Sequence, residues 1–458
     1  MNKPYHIIVV GGGLAGLATA YELSKLPKYR VTLLEQRDRV GGRVHSESVA
    51  GKMVDFGGFI IYPWYTNYHR ILNELNLVDM LEPVPLQEIY YQVDDSGTMY
   101  LDKQLPFPKK DTAVLTVKMA KSVLQASDVA EPPLDTFDYM TGAEYFRSAL
   151  GRDGHAGVYE SYTDTVNQGY CYPGVERFKM AFMAPFIRMT RFSGSVADSF
   201  YIKSGNNQLP LAMADAIQRA GSVIQLNTTV SGCSGTVVHT NTGDVTGDAV
   251  VFAQTVTESV YQSVLPDVSV PMDYTSYYTL TVKLSGQPAI QKDYNWGGAF
   301  YLPNHEPLQI VSAVNLHVLY AEELAGYINL NIVIRDQAAS HPLSAEVLAQ
   351  RIQPELKWLF PQVELQHVLN VVYWPQTMPV SDEVFVGTIR QRQGSLGHYF
   401  AGDFLGAPSM ETALTTGVRA AERVVADTSG QYQKNASSPL YQKFNERLNS
   451  LLPNHKAE

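Results

Sequence analysis

YHIIVVGGGLAGLATAYELSKLPKYRVTLLEQRDRVGGR, residues 5–43, is the stretch whose reading decides the fold. Tyr5 to Val10 is a short β-branched apolar run, the pattern of a buried strand. Gly11, Gly13 and Gly16 follow at the spacing G-x-G-x-x-G. Leu14 to Leu26 carries apolar residues at helical intervals, and Val31 to Leu34 reads as the next strand. Glu35 closes that strand about 20 residues past the glycines, where a dinucleotide-binding fingerprint has its acid. Gly11 permits the tight turn, Gly13 lets the backbone approach a pyrophosphate, and Gly16 lets helix and strand pack closely. The helix start at Leu14 and Ala15 offers free N–H groups and a positive dipole end to phosphates. Glu35 is placed to accept hydrogen bonds from a ribose diol. Glycine spacing alone recurs in ordinary loops; here flanking strands and an acid stand in register with it.

The segment after Glu35 narrows the ligand. Glu35, Gln36, Arg37, Arg39, Gly41, Gly42 and Arg43 spell E-x-x-x-R-x-G-G-R. At this point the chain resembles the flavin-containing amine oxidase superfamily, which also holds plant-type phytoene desaturases and protoporphyrinogen oxidases. The resemblance implies FAD, with the second glycine pair and Arg43 wrapping its pyrophosphate from the other side. Val54-Asp55-Phe56-Gly57-Gly58-Phe59 is similar to the family's next element, a turn that comes close to the isoalloxazine ring. Tyr399 to Ala413 is similar to the C-terminal motif, a strand ending in Gly402-Asp403 followed by a helix. By that resemblance Asp403 bonds the ribityl hydroxyls. The helix start around Ser409, Met410 and Ala413 would face the pyrimidine edge, where reduction builds negative charge. Pro408 suits the first helical turn, where its missing N–H costs nothing. Mid-chain, Gly221 to Val230 resembles the family strand in which a valine, here Val230, lies by the adenine.

Two departures from the family bear on the chemistry. Monoamine oxidases attach FAD through a cysteine before the final helix, and Phe404 to Glu411 contains none, which implies a non-covalent flavin. Many amine oxidases place a lysine near flavin N5. In the matching strand, Tyr277 to Leu284, that position falls on Thr279 or Leu280, with Lys283 out of register. The C-terminal motif also has no aromatic pair for an amine-oxidase cage, since Phe404 stands alone there.

The chain of 458 residues is 45% hydrophobic and 17% charged, an ordinary globular composition with room for two or three domains. A net charge of −10 argues against a nucleic-acid partner. Cys171 and Cys233 are too few for a disulfide scaffold and read as reduced intracellular thiols. The first strand begins almost at once, and no apolar run approaches the ~20 residues that span a bilayer, so a cytoplasmic setting without a signal peptide is expected. The Asn435 sequon then has no meaning. Leu105 to Leu124 reads as an amphipathic helix with lysines on one face, either an exposed helix or a peripheral membrane contact.

The expected fold class is α/β: a discontinuous Rossmann-like FAD-binding domain plus an α+β substrate-binding domain with a mixed sheet and helices. Residues 1–66, 205–255 and 388–428 form the first domain, and 67–204 with 256–387 the second. Residues 429–458 form a tail or a short helix striped by Leu440, Phe444 and Leu448. Within the FAD domain, Gly205-Asn-Asn-Gln-Leu209 leads into a helix over Leu211–Ala220, and Val237 to Ala253 reads as a β-meander broken at Thr242-Gly243-Asp244.

Substrate segments rich in aromatics, among them Tyr90, Tyr91, Tyr159, Tyr162, Tyr170, Tyr172, Phe178, Phe182, Phe186, Phe192, Phe200, Tyr201, Tyr277 and Tyr278, suggest an apolar cavity for a hydrophobic or aromatic small molecule. For any single one, an ordinary core or surface aromatic is the stronger account. Arg188 and Arg191 suit a substrate carboxylate or a salt-bridged surface helix. His45, His69 and His155 have no spacing that suggests a metal site or a triad. No catalytic residue is assigned and no metal is expected. The leading chemistry is hydride transfer from a substrate C–H to FAD, as in an oxidase or desaturase, with dioxygen or a quinone as electron acceptor. Two alternatives stand beside it: a strict amine oxidase releasing peroxide, and a flavoprotein whose FAD is redox-silent, such as an isomerase or binding module.

Overall fold

The computed structural model describes residues 3–93, 99–101, 108–152, 154–194, 196–289, 298–303, 309–334 and 341–429. Asn435 and the Leu440, Phe444 and Leu448 stripe lie outside the described residues, as do residues 102–107.

Tyr5–Val10 and Tyr29–Leu34 pair in parallel, Tyr5 opposite Tyr29 and Val10 opposite Leu34, with helix Leu14–Ser24 crossing between them. Ala249–Phe252, His398–Phe400 and Val223–Gln225 complete a five-stranded parallel sheet in the order 398–400, 249–252, 5–10, 29–34, 223–225. The sheet is covered on both faces, as its near-continuous apolar strands require. Ile7 and Val9 pack with helices Leu14–Ser24, Gln208–Arg219 and Met410–Ser429. Ile8 and Val10 pack with Val260 of helix Glu258–Val264 and Phe385 of helix Glu383–Arg392. An antiparallel meander, Val230–Ser234, Val237–Thr240 and Val245–Thr246, precedes the strand at Ala249.

A second sheet has seven strands in the order 365–374, 277–284, 327–332, 310–315, 298–301, 87–93, 99–101. It is mixed, because Gly298–Tyr301 runs parallel to Gln87–Val93 while the other pairs are antiparallel. Alternation along Tyr277–Leu284 sorts its faces. Tyr278, Leu280 and Val282 enter a core with Leu348, Ile352 and Leu356 of helix Ala345–Leu359. Thr279 and Thr281 face the other way and bond Asn331 and Asn329 at 2.8 and 2.5 Å. The fold is thus α/β with a parallel sheet and a separate mixed sheet.

Two helices from opposite ends of the chain hold the first sheet together. Met410–Ser429 lies against Leu14–Ser24 so closely that a Cβ on Gly417 would come 2.2 Å from the Ala15 carbonyl oxygen and 2.9 Å from the Ala18 Cβ. The Thr19 hydroxyl donates to the Gly417 carbonyl at 2.9 Å, a bond that this approach permits. Leu105 to Leu124 is helical from Lys109 to Gln125, with Leu115 buried and Val117 76% exposed.

Gly417→Ala should therefore lower unfolding free energy by about 2–3 kcal/mol through overpacking. Gly286→Ala, whose Cβ would meet Val363 at an ordinary 3.6 Å, should change it by less than about 0.5 kcal/mol. Urea unfolding of both variants checks the pair.

Candidate functional site

All strands of the parallel sheet point the same way, so their C-terminal ends share one edge. Val10 runs into Gly11, Leu34 into Glu35, Phe252 into Ala253 and Gln254, and Phe400 through Ala401 into Gly402 and Asp403. The edge is closed by bonds between successive strand ends: Gly11 N–H to Leu34 O at 2.8 Å, Ala253 N–H to Val10 O at 2.8 Å, Ala401 N–H to Phe252 O at 3.0 Å. Such an edge is where open α/β sheets take ligands. Here it opens into a cavity of about 280 Å³.

Most residues expected from the sequence line this one cavity: Gly11, Gly13, Leu14, Ala15, Glu35, Gln36, Arg37, Gly41, Gly42, Arg43, Gly58, Val230, Gly402, Asp403, Ser409, Met410 and Ala413. Gly16, Gly57 and Phe59 do not. Gly16 serves packing instead, since a Cβ there would sit 1.9 Å from the Gly11 carbonyl oxygen. Gly57 is pressed against the Arg43 carbonyl in the same way, also at 1.9 Å. Gly13 faces open space, with Gly42 Cα 4.0 Å from where its Cβ would be. As the N-cap of helix Leu14–Ser24 it brings no side chain to the first N–H groups, which are left for a ligand.

Glu35 organises the turn. Its Oε2 accepts the Gly12 N–H at 2.6 Å and its Oε1 the Arg37 N–H at 2.8 Å. A carboxylate has about four acceptor positions, so each oxygen keeps one for a ligand hydroxyl. Arg43 and Asp403, expected on different parts of a cofactor, also bond each other: Arg43 Nη1 to Asp403 Oδ2 at 2.8 Å and Nη2 to Oδ1 at 2.6 Å. Nη1 also donates to the Thr377 carbonyl at 2.6 Å. Burial works against the guanidinium charge, and the Asp403 carboxylate overrides it, holding the Arg43 pKa above its usual value. The Arg43 side chain is 31% exposed, but this exposure is to the cavity it lines.

The C-terminal motif differs in one detail from its sequence reading. The helix starts at Met410, so Pro408 precedes it rather than filling its first turn. Ser409 takes the N-cap position, its Oγ accepting the Thr412 N–H at 3.0 Å, and the Pro408 carbonyl accepts the Tyr172 hydroxyl at 2.6 Å. Cap preference for serine explains why the helix begins there.

Several cavity residues were missed by sequence reasoning: Thr228, Gln254, Thr255, Tyr274, Pro375 and Met378 among them. Gln254 and Thr255 had a signal, because they directly follow a recognisable buried strand. Pro375 and Met378 had none, since a distant segment is folded back onto the edge. The Gln254 side-chain oxygen is buried with no hydrogen-bond partner, an acceptor that a ligand donor would satisfy. Neither cysteine lines the cavity, and burial pushes their thiols up, Cys171 to about 12 and Cys233 to about 11.

Beside the Met410 end lies an aromatic cluster. Tyr62 stacks on Trp64 at 5.2 Å, Phe186 meets both edge-on at 5.7 and 5.8 Å, and Tyr172 lies 5.6 Å from Phe186. Tyr172 and Phe186 were expected there; Tyr62 and Trp64 were not. Tyr170 stacks on Tyr301 at 5.1 Å, and both hydroxyls donate to Glu88. Arg188 is buried in helix Met180–Phe192, while the side chains of Tyr90, Tyr91, Arg191 and Phe192 lie outside the described part. Lys283 is engaged away from the cavity, its Nζ donating to the Ala325 carbonyl at 2.6 Å and lying 4.1 Å from the Tyr327 ring centroid. His45, His69 and His155 bond Glu47, the Tyr62 carbonyl and Asp111. Among the described residues no group of three or more His, Cys, Asp or Glu is arranged for a metal ion.

Beneath Gly58 sits a carboxyl with unusual protonation. Asp55 accepts from Ser46 Oγ at 2.5 Å and from the Asn206 N–H at 2.8 Å, yet burial outweighs these bonds and raises its pKa to about 7. A raised carboxyl pKa means the folded protein binds more protons than the unfolded chain between the two pKa values. Stability should fall as pH rises from about 4 to about 7 on this account, by on the order of 2 kcal/mol for this half-buried group. Asp55→Asn keeps the acceptor oxygen, and the slope of unfolding free energy over that pH range should flatten in the variant.

A family model of flavin containing amine oxidoreductases matches residues 14–425. Polyamine oxidase 5 of Oryza sativa subsp. japonica is 37% identical over 98 residues, 21% of this chain and 18% of that one. The chloroplastic/chromoplastic 15-cis-phytoene desaturase of Arabidopsis thaliana is 26% identical over 315 residues, 63% of this chain and 53% of that one. The chain thus matches about a fifth and about half of the lengths of these two relatives. A fatty acid isomerase from P. acnes shares the fold with a TM-score of 0.70 at 15% identity, covering 92% of this chain and 99% of that one. Cyclohexylamine oxidase from Brevibacterium oxydans IH-35A does so with a TM-score of 0.64 at 17% identity, covering 93% and 100%. No helix among the described residues is long and apolar enough to cross a membrane. With the family model spanning both glycine motifs' helices and nearly everything between, the chain belongs to the flavin-containing amine oxidoreductases.

Proposed function

We propose that the protein binds FAD without a covalent bond and oxidises or desaturates a hydrophobic or aromatic small molecule. The observation that carries this reading is that motif residues from both ends of the chain line one and the same cavity. Its polar groups suit a dinucleotide: the open Gly13 and a helix start donate N–H groups to a pyrophosphate, Glu35 accepts from a ribose diol, and the unpartnered Gln254 oxygen accepts from a further ligand donor. The absence of cysteine from the lining supports non-covalent binding. When bound, the flavin supplies a hydride acceptor. The chain's own residues would hold and orient it: the Met410 helix start sets a positive dipole end at the cavity wall, and Tyr62, Trp64, Phe186 and Tyr172 pack on one another as an aromatic cluster behind that wall. No side chain is assigned a proton-transfer role.

The division into 1–66, 205–255 and 388–428 for FAD, and 67–204 with 256–387 for substrate, belongs to the same reading. Dioxygen or a quinone takes the electrons. The setting is cytoplasmic, with helix Lys109–Gln125 as the element for any peripheral membrane contact. Strict amine oxidation is the weaker reading, because Lys283 is committed to Ala325 and Thr279 occupies the sheet face. Redox-silent FAD is separated by experiment rather than by fold, since one fold hosts many chemistries.

Gly13→Val should fold yet purify largely without flavin, because the new side chain enters open space that the ligand needs; full yellow occupancy would overturn the cavity assignment. Dithionite-reduced holoprotein is the second test. Rapid reoxidation by air with peroxide marks an oxidase, whereas slow air and fast benzoquinone reoxidation marks a desaturase-like enzyme. A flavin that stays oxidised through every substrate turnover would refute the redox reading.

A further inference from the structure

We infer that Asn206 is a positioning residue that sets the ring end of the cofactor cavity. It belongs to Gly205-Asn206-Asn207-Gln208-Leu209, a turn that no motif role has absorbed. Asn206 is fully buried. Its Nδ2 donates to the Gly58 carbonyl at 2.7 Å and lies 3.4 Å from the Met410 sulfur, and both of those residues line the cavity. Its Oδ1 accepts the hydroxyl of Tyr68, and its backbone N–H donates to Asp55 Oδ1. The amide orientation follows from chemistry: the Gly58 carbonyl only accepts, so the atom facing it must be the NH2 group.

Asn206 therefore ties together four segments. These are the turn from Asp55 to Gly58 that follows strand Lys52–Asp55, the helix Thr66–Glu74 carrying Tyr68, its own turn, and the start of helix Met410–Ser429. A second tie runs in parallel. The Glu411 carboxylate accepts the Asn67 and Tyr68 N–H groups at 2.8 and 3.0 Å, capping helix Thr66–Glu74 from the Met410 helix. The Gly58 N–H donates to the Arg43 carbonyl at 3.1 Å, and Asn206 is the group that holds the Gly58 carbonyl. Without that bond the Gly58 peptide is free to rotate into the cavity while the pyrophosphate end, built from Gly11, Gly13 and Glu35, stays intact.

The inference rests on the FAD reading of the cavity, and its test separates the two. The affinities of apoprotein for FAD and for ADP are measured by titration in wild type, Tyr68→Phe and Asn206→Asp. Tyr68→Phe removes the hydroxyl that donates to the Asn206 amide oxygen and leaves the amide held from one side only; Asn206→Asp keeps the shape and removes the donor to Gly58. Both variants should lose at least about tenfold in FAD affinity while ADP affinity stays within about twofold. The visible spectrum of the remaining bound flavin should shift, which a purely structural amide would not cause. Unchanged FAD affinity and spectrum in both variants would overturn the inference, as would equal losses for FAD and ADP. A wild-type apoprotein that binds ADP but not FAD, or neither, would instead fault the cofactor reading itself.

Discussion

The approach of helix Met410–Ser429 to helix Leu14–Ser24 is the constraint on which the rest depends. A glycine at 417 and alanines at 15 and 18 bring two backbones close enough for the Thr19 hydroxyl to reach the Gly417 carbonyl. Because the contact joins the two ends of the chain, the parallel sheet closes around segments nearly 400 residues apart, and its strand ends meet at one edge. Everything of functional interest is hung on that edge.

Charge then locks what packing has brought together. Arg43 and Asp403 come from the two end motifs and form a two-pronged ion pair in the cavity wall. Removing one partner from such a pair leaves the other charge poorly solvated, which is why these positions act as a unit. The pair also fixes both side chains before any ligand arrives, so less side-chain freedom is lost on binding.

Around the Met410 end the ties are different, made of carboxyls that accept backbone N–H groups rather than of a salt bridge. Asp55 and Glu411 are both pushed up to about 7 by burial, although each accepts hydrogen bonds that favour its charged form. Both accept backbone N–H groups of other segments, Asp55 from Asn206 and Glu411 from Asn67 and Tyr68. Carboxyls placed in this way connect the Met410 end of the cavity to helix Thr66–Glu74.

Residues 5–43 and 399–413 were legible in the sequence because their chemistry is local. A turn that needs positive φ, as at Gly11 with φ of 105°, or a Cβ-free contact, as at Gly16, selects glycine at one position whatever the rest of the chain does. Period-two and period-3.6 patterns likewise announce strands and helices within a few residues. Tyr62, Trp64, Pro375 and the Asp55–Asn206–Tyr68 network were not legible. Each is ordinary in its own segment and gains its role only from partners far along the chain. The glycine turns and the α/β layout were therefore determined by the sequence alone, through short-range backbone requirements, and the flavin followed from the family resemblance. Which side chains close the cavity, which acids have raised pKa values, and why Lys283 stands apart from it were decided only by tertiary packing, because burial and long-range hydrogen bonds exist nowhere else.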